Sequence, residues 1–140
     1  MKKDHVIFLI GRIQYKANKF LTDQMRAYRI KNLAPSHGEI LGSLMARGPL
    51  PMTEIARIID KDKSTVTALV DKLVRLGYVE KKKNEADNRV NLISLTRKGE
   101  VLKPKFALIA RKLRATAYKD VPDEEREQLI GLLTKISENL

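Results

Sequence analysis

The sequence predicts a mainly α chain with one small β-hairpin (α+β), in which a helix-turn-helix is followed at once by a basic hairpin and flanked by long amphipathic helices. Apolar residues recur at helical spacing over most of the 140 residues. The period changes to short alternating runs only after Gly77, and a turn-forming cluster, 84–88, joins two of those runs. A chain of this length forms one domain with a core of its own, here expected as a central unit over 35–96 with helical regions over 1–34 and 97–140.

Val6, Leu9, Ile10, Ile13, Ala17, Phe20 and Leu21 mark a first helix that can run to about Asn32, with Asp4 as its cap. Pro35 suits the first turn of a second helix, over about 36–46, which buries Ile40, Leu41 and Leu44 and ends at Arg47-Gly48-Pro49. Pro51 and Thr53 open a short third helix through Ile59, with Thr53 as the cap and Ile55, Ile58 and Ile59 inward. Asp60-Lys61-Asp62 forms the turn to a fourth helix over about 63–76, and Gly77 stands where a C-terminal cap needs positive φ. Residues 78–83 and 89–95 read as strands. Thr96 caps a long fifth helix towards Tyr118 that Pro104 must kink or interrupt. Pro122 and the acids behind it start a sixth, whose stripe is Leu129, Leu132, Leu133, Ile136 and Leu140.

The net charge of +11 is uneven. Residues 57–112 carry fifteen bases against seven acids and residues 1–30 seven against two, whereas residues 113–140 are net acidic. Positive charge thus gathers on the segment that would meet phosphate. The absence of cysteine removes disulfides, thiolate metal sites and thiol redox sensing, and fits a reducing, cytoplasmic setting. No apolar run approaches the ~20 residues of a membrane span. The apolar stretch Val6–Ile10 is too short for a signal peptide, and no small-residue cleavage site follows it.

On the fourth helix, Val66, Leu69, Val70, Leu73 and Leu76 face the core. The opposite face carries Ser64, Ala68, Asp71 and Arg75, flanked by Thr67 and Lys72, with Thr65 near the other boundary. Small hydroxyl residues and an alanine allow close approach to a major groove, where Ser and Thr bond base edges or phosphates and Ala68 touches a thymine methyl. Lys61 and Lys63 add phosphate contacts at the positive end of the helix dipole. Taken alone, the hydroxyls also suit an ordinary capped and solvated helix.

The hairpin supplies the second reader. Lys81, Lys82 and Lys83 line its stem, and Arg89 sits where the second strand leaves the tip, placed to enter a minor groove. Asp87 would be repelled by phosphate, but it makes sense as a partner holding the Arg89 guanidinium in its fork geometry.

The stretch MTEIARIIDKDKSTVTALVDKLVRLGYVEKKKNEADNRVNLISLTRKG resembles the MarR family of winged helix-turn-helix transcriptional regulators nearly throughout. It carries the TEIA helix, the DKSTVT start of the recognition helix, the DKL…GYVE passage into the wing, the D-x-R tip and the closing LT-x-K-G. The resemblance implies Ser64, Thr65 and Thr67 in the major groove, Arg89 in the minor groove and Asp87 orienting Arg89. It also implies a homodimer built from the first, fifth and sixth helices. The amphipathic stripes outside 35–96 independently favour burial against a second copy, and a two-fold dimer should read a pseudo-palindromic double-stranded operator with half-sites roughly 34–36 Å apart.

The family further implies a small phenolic or anionic effector, for which Arg12, Tyr15, Lys16 and His37 are the candidate pocket residues. His5 and His37 are too few for a metal site, and no cofactor is expected. No paired acid and base, phosphate-cradling loop or nucleophile arrangement points to an enzyme. The expected function is therefore a dimeric, sequence-specific regulator, a repressor that competes with polymerase for promoter DNA and is relieved by such an effector. The alternative is a non-specific nucleic-acid-packaging protein that makes phosphate contacts alone.

Overall fold

The computed structural model describes residues 5–140. Its elements follow in the order α1 (Val6–Ala27), α2 (Pro35–Arg47), β1 (Leu50–Pro51), α3 (Met52–Ile59), α4 (Lys63–Arg75), β2 (Val79–Lys83), β3 (Asn91–Leu95), α5 (Arg97–Glu100), α6 (Lys103–Ala117) and α7 (Asp123–Asn139). The Asp4 cap expected for α1 lies outside the described residues.

The centre of the chain holds the core. Ile40, Leu41 and Leu44 of α2, Ile55 of α3 and Val66, Val70 and Leu73 of α4 are buried against Val79 and Ile93 of the sheet. These are the inward stripes read from helical spacing, with Ile58 and Leu69 packed on their margin. The sheet has the order β1-β3-β2, all antiparallel, with Val79 opposite Leu95 and Lys83 opposite Asn91. Lysines on the edge strand β2 discourage pairing with another chain. β1 is a third strand that the sequence did not announce: Leu50 and Pro51 pair with Ile93 and Leu92. Two residues show no alternation, and the proline is tolerated there because β1 is itself an edge.

Two helices end in the same way, one foreseen and one not. At the end of α4, Gly77 has φ 83°. Its N–H donates to the Val74 carbonyl at 3.0 Å, and Tyr78 N–H donates to Leu73 at 3.0 Å. At the end of α1, Arg29 takes that left-handed position with φ 61°. Its N–H donates to Arg26 at 3.0 Å, and Ile30 N–H donates to Met25 at 2.8 Å. The first helix therefore stops at Ala27, short of Asn32. Burial of both Met25 and Ile30 is the gain that holds a non-glycine residue at positive φ.

Thr53 does not cap α3; it lies within the first turn, and Pro51 occupies the cap position in an extended conformation. Thr96 does act as a cap, accepting from Gly99 N–H at 3.2 Å. The helix it starts is only four residues long. Pro104 breaks the expected fifth helix rather than bending it. α6 begins at Lys103, so the proline sits in a first turn where its missing N–H leaves no bond unmade.

The flanking helices are amphipathic as expected but largely uncovered within the chain. α6 packs on α1, with Ile109 buried, and the Lys105 ammonium donates to the Tyr28 carbonyl at 3.1 Å. α7 has three acids in its first turn and buries no residue. Among the described residues, no helix is long and apolar enough to cross a membrane.

Candidate nucleic-acid interface

The helix-turn-helix is α3 and α4, joined by Asp60 in the left-handed conformation (φ 53°), Lys61 and Asp62. Asp62 caps α4. Its carboxylate accepts from Thr65 N–H at 2.7 Å and from the Ser64 hydroxyl at 2.9 Å. Those bonds hold the carboxyl below its usual range, the Thr65 backbone donor first and the hydroxyls of Thr65 and Ser64 next. Ser64 is thus pinned at the exposed start of the helix, leaving its oxygen free to accept a further bond. The Thr67 hydroxyl donates back to the Lys63 carbonyl at 2.8 Å, which keeps an oxygen lone pair available to accept a further bond.

Lys61, Lys63, Ser64, Thr65 and Ala68 are exposed together at one end of α4, and Thr67 is half-buried beside them. Lys72 stands apart from this group. It is half-buried, and its charge acts on His37 of α2.

The tip of the wing is held by short-range bonds. Asn84 accepts from Ala86 N–H at 2.9 Å through its side chain, and Val90 N–H donates to the Asp87 carbonyl at 3.0 Å. Asp87 grips Arg89 through three hydrogen bonds. One carboxylate oxygen accepts from Arg89 backbone N–H at 3.0 Å and from Nε at 3.1 Å, and the other accepts from Nη2 at 3.4 Å. Arg89 holds the Asp87 carboxyl below its usual range, chiefly through these side-chain bonds. The Arg89 side chain is nonetheless 91% exposed. An ion pair this open contributes little to stability. Its effect is to fix the direction in which a free guanidinium points.

The sequence motif LT-x-K-G proves to be the latch between wing and helix. The Thr96 hydroxyl donates to the Gly77 carbonyl, and Thr96 N–H donates to Tyr78 at 3.0 Å. The Lys98 ammonium reaches the Leu76 carbonyl at 2.7 Å, at the negative end of α4, and lies 4.6 Å from the centre of the Tyr78 ring. A Cβ at Gly99 would stand 2.3 Å from the Tyr78 carbonyl oxygen, so only glycine fits. Sequence reading missed these roles because each partner lies about twenty residues away. Lys82 pairs with Glu80 at 3.1 Å on the outer side of β2, and Lys83, at its end, is exposed.

The four candidate effector residues do not converge. Arg12, Tyr15 and Lys16 are exposed on the first half of α1. His37 is buried, and its Nδ1 accepts from Ala34 N–H at 3.0 Å, closing the first turn of α2. Burial lowers its pKa, with the Lys72 charge adding to the effect. A cleft of about 200 Å³ does lie between α1, α2 and α6, but Leu21, Met25, Gly38, Phe106 and Ile109 form its wall, and Glu39 is the one charged residue there.

Comparison with known proteins agrees with this geometry. The profile of the MarR family matches residues 31–89. The HTH-type transcriptional regulator BilQ of Clostridium symbiosum is 29% identical over 83 residues, which is 59% of this chain. The match spans 58% of the length of that relative. Among solved structures, a complex of MepR from S. aureus with DNA superposes with a TM-score of 0.83 at 24% identity, covering 95% of this chain and 96% of that one. BpsR of Bordetella bronchiseptica, described with regulation of its DNA binding by 6-hydroxynicotinic acid, gives 0.82 at 19% identity, covering 98% and 96%. At these identities the structural likeness speaks for the fold.

Proposed function

We propose that this chain is a winged helix-turn-helix transcriptional regulator of the MarR family, whose profile matches residues 31–89, and that it binds double-stranded DNA sequence-specifically as a homodimer and represses transcription. The observation that carries this reading is the Asp87–Arg89 fork, a free but oriented guanidinium at the tip of a wing latched to α4. Ser64, Thr65, Thr67 and Ala68 enter the major groove in this reading. Lys61, Lys63, Lys82 and Lys83 meet phosphates, and Arg89 enters the adjacent minor groove. Lys72, half-buried and acting through its charge on His37 of α2, adds a contact at the flank. MepR, a protein of the same fold, is described in complex with DNA, which supports the reading.

The second copy is placed on α1, α6 and α7, whose uncovered apolar side chains ask for a partner. Pairing by a two-fold axis gives a pseudo-palindromic operator. A small aromatic effector in the cleft between α1, α2 and α6 would relieve repression. The apolar wall suits a neutral or phenolic ring better than a carboxylate, whose burial without a partner is costly.

Titration with a duplex selected from random DNA, against a scrambled duplex of equal length, tests the proposal. A regulator binds the selected duplex ~10³-fold or more tighter, and both affinities fall steeply with salt. Nearly equal affinities would instead make the protein a packaging protein.

A further inference from the structure

Asp71 occupies an unexpected place. It lies in the middle of the α4 face that also carries Ser64, Ala68 and Arg75, where a lone carboxylate would repel phosphate. It is not alone. Lys81 of β2 reaches across to it, with Nζ 2.9 Å from the Asp71 carboxylate. Strand alternation dictates this reach: Lys81 shares a side of the sheet with buried Val79, towards α4, while Glu80 and Lys82 pair with each other on the other side.

The bonds of Tyr78, Thr96 and Lys98 fasten the hairpin at its foot, and β1 pairs with the outer edge of β3 at Ile93 and Leu92, which leaves the β2 side to be held against α4. Among the described residues, Lys81–Asp71 is the one hydrogen bond or ion pair that joins residues 79–95 to α4. A stem of five residues is about 17 Å long, so a rotation of about 10° at its foot moves the tip by about 3 Å. That displacement exceeds the tolerance of a hydrogen bond.

We propose that Asp71 and Lys81 form a strut that sets the distance between the groove-facing surface of α4 and Arg89. They are a positioning pair that acts through Arg89 and does not itself touch DNA. This rests on the reading that α4 and the wing both contact one duplex. The Asp71 side chain is 47% exposed and that of Lys81 38%, so the pair adds little to folding stability, and its loss leaves the fold in place. Its contribution is geometric: it keeps two readers in register on neighbouring grooves, and it neutralises the carboxylate that the face would otherwise present.

A double-mutant cycle tests the strut, using wild type, Asp71→Asn, Arg89→Ala and the double variant on a duplex selected from random DNA. Thermal unfolding confirms that each variant is folded. Asp71→Asn is expected to weaken binding about fivefold in the wild-type background and less than about twofold when Arg89 is already absent. Equal losses in both backgrounds overturn the proposal, as does unchanged or tighter binding, which would leave Asp71 a mere charge.

Lys81→Gln is expected to match Asp71→Asn while keeping the wild-type slope of log K against log salt. A slope reduced by about one makes Lys81 a phosphate contact and also overturns the strut. If Arg89→Ala alone changes nothing, the wing reading itself fails and the strut falls with it. That result is distinct from an intact Arg89 effect without coupling.

Discussion

The central unit, residues 35–96, and the helices on either side of it satisfy their apolar residues in opposite ways. In the centre, Ile40, Leu41, Ile55, Val66, Val70, Leu73 and Ile93 are fully buried within one chain. On the flanks, Ile7 is 62% exposed, Phe8 75% and Leu132 58%, and α7 buries nothing. Both regions show the same helical spacing in the sequence. Periodicity therefore says that a face will be covered, not by which chain. The centre closes on itself and joins the wing to α4, while the flanks leave their cover to the second copy proposed above.

The contrast can be attacked first at the latch. Gly99→Ala drives a methyl into the Tyr78 backbone carbonyl, which has no flexible end to yield, and should cost about 3 kcal/mol or more, read from thermal unfolding. Leu73→Ala, in the core, should cost about 3 kcal/mol at any protein concentration. Leu132→Lys on α7 should instead leave unfolding at high dilution within about 0.5 kcal/mol of wild type. On the proposed pairing, it makes the melting temperature concentration-dependent at higher protein concentrations than in wild type. If the core and flank substitutions behaved alike at dilution, the distinction between the regions would collapse.

The smallest expected effect is a pH dependence confined to the centre. Burial lowers the pKa of His37, and a proton on Nδ1 would cost the bond from Ala34 N–H. The unfolded chain then binds the proton more readily than the folded one. Stability is full above the ordinary value of 6.5 and falls as pH drops from there towards the lower folded value. Melts at pH 7.5 and 5.5 should separate for wild type and draw together for His37→Asn. An equal separation in both would remove His37 as the cause.

Much of the centre was legible in the sequence because local chemistry determines it. Gly77 announced its own positive φ, and the stripe Val66, Val70, Leu73 announced the inner face of α4. Asp87 and Arg89, two residues apart, are close enough for a side-chain fork to be foreseen. What escaped depends on distant partners or on tertiary burial. β1 exists only because β3 offers it an edge, and the end of α1 at Ala27 depends on Met25 and Ile30 finding cover. Pro104 signalled trouble without saying whether the helix would bend or break. Arg12, Tyr15, Lys16 and His37 suggest a pocket only by their polar or aromatic character, whereas the cleft is apolar and formed by three separate helices, a feature no local pattern reveals.

The central claim is that the wing arginine reads DNA from a unit whose flanks serve only to pair it. Arg89→Ala, measured by binding to the selected duplex alongside sedimentation of the free protein, tests this most directly. Affinity should fall by about tenfold or more while the dimer sediments as in wild type. Unchanged affinity, or loss of the dimer together with binding, would contradict the account.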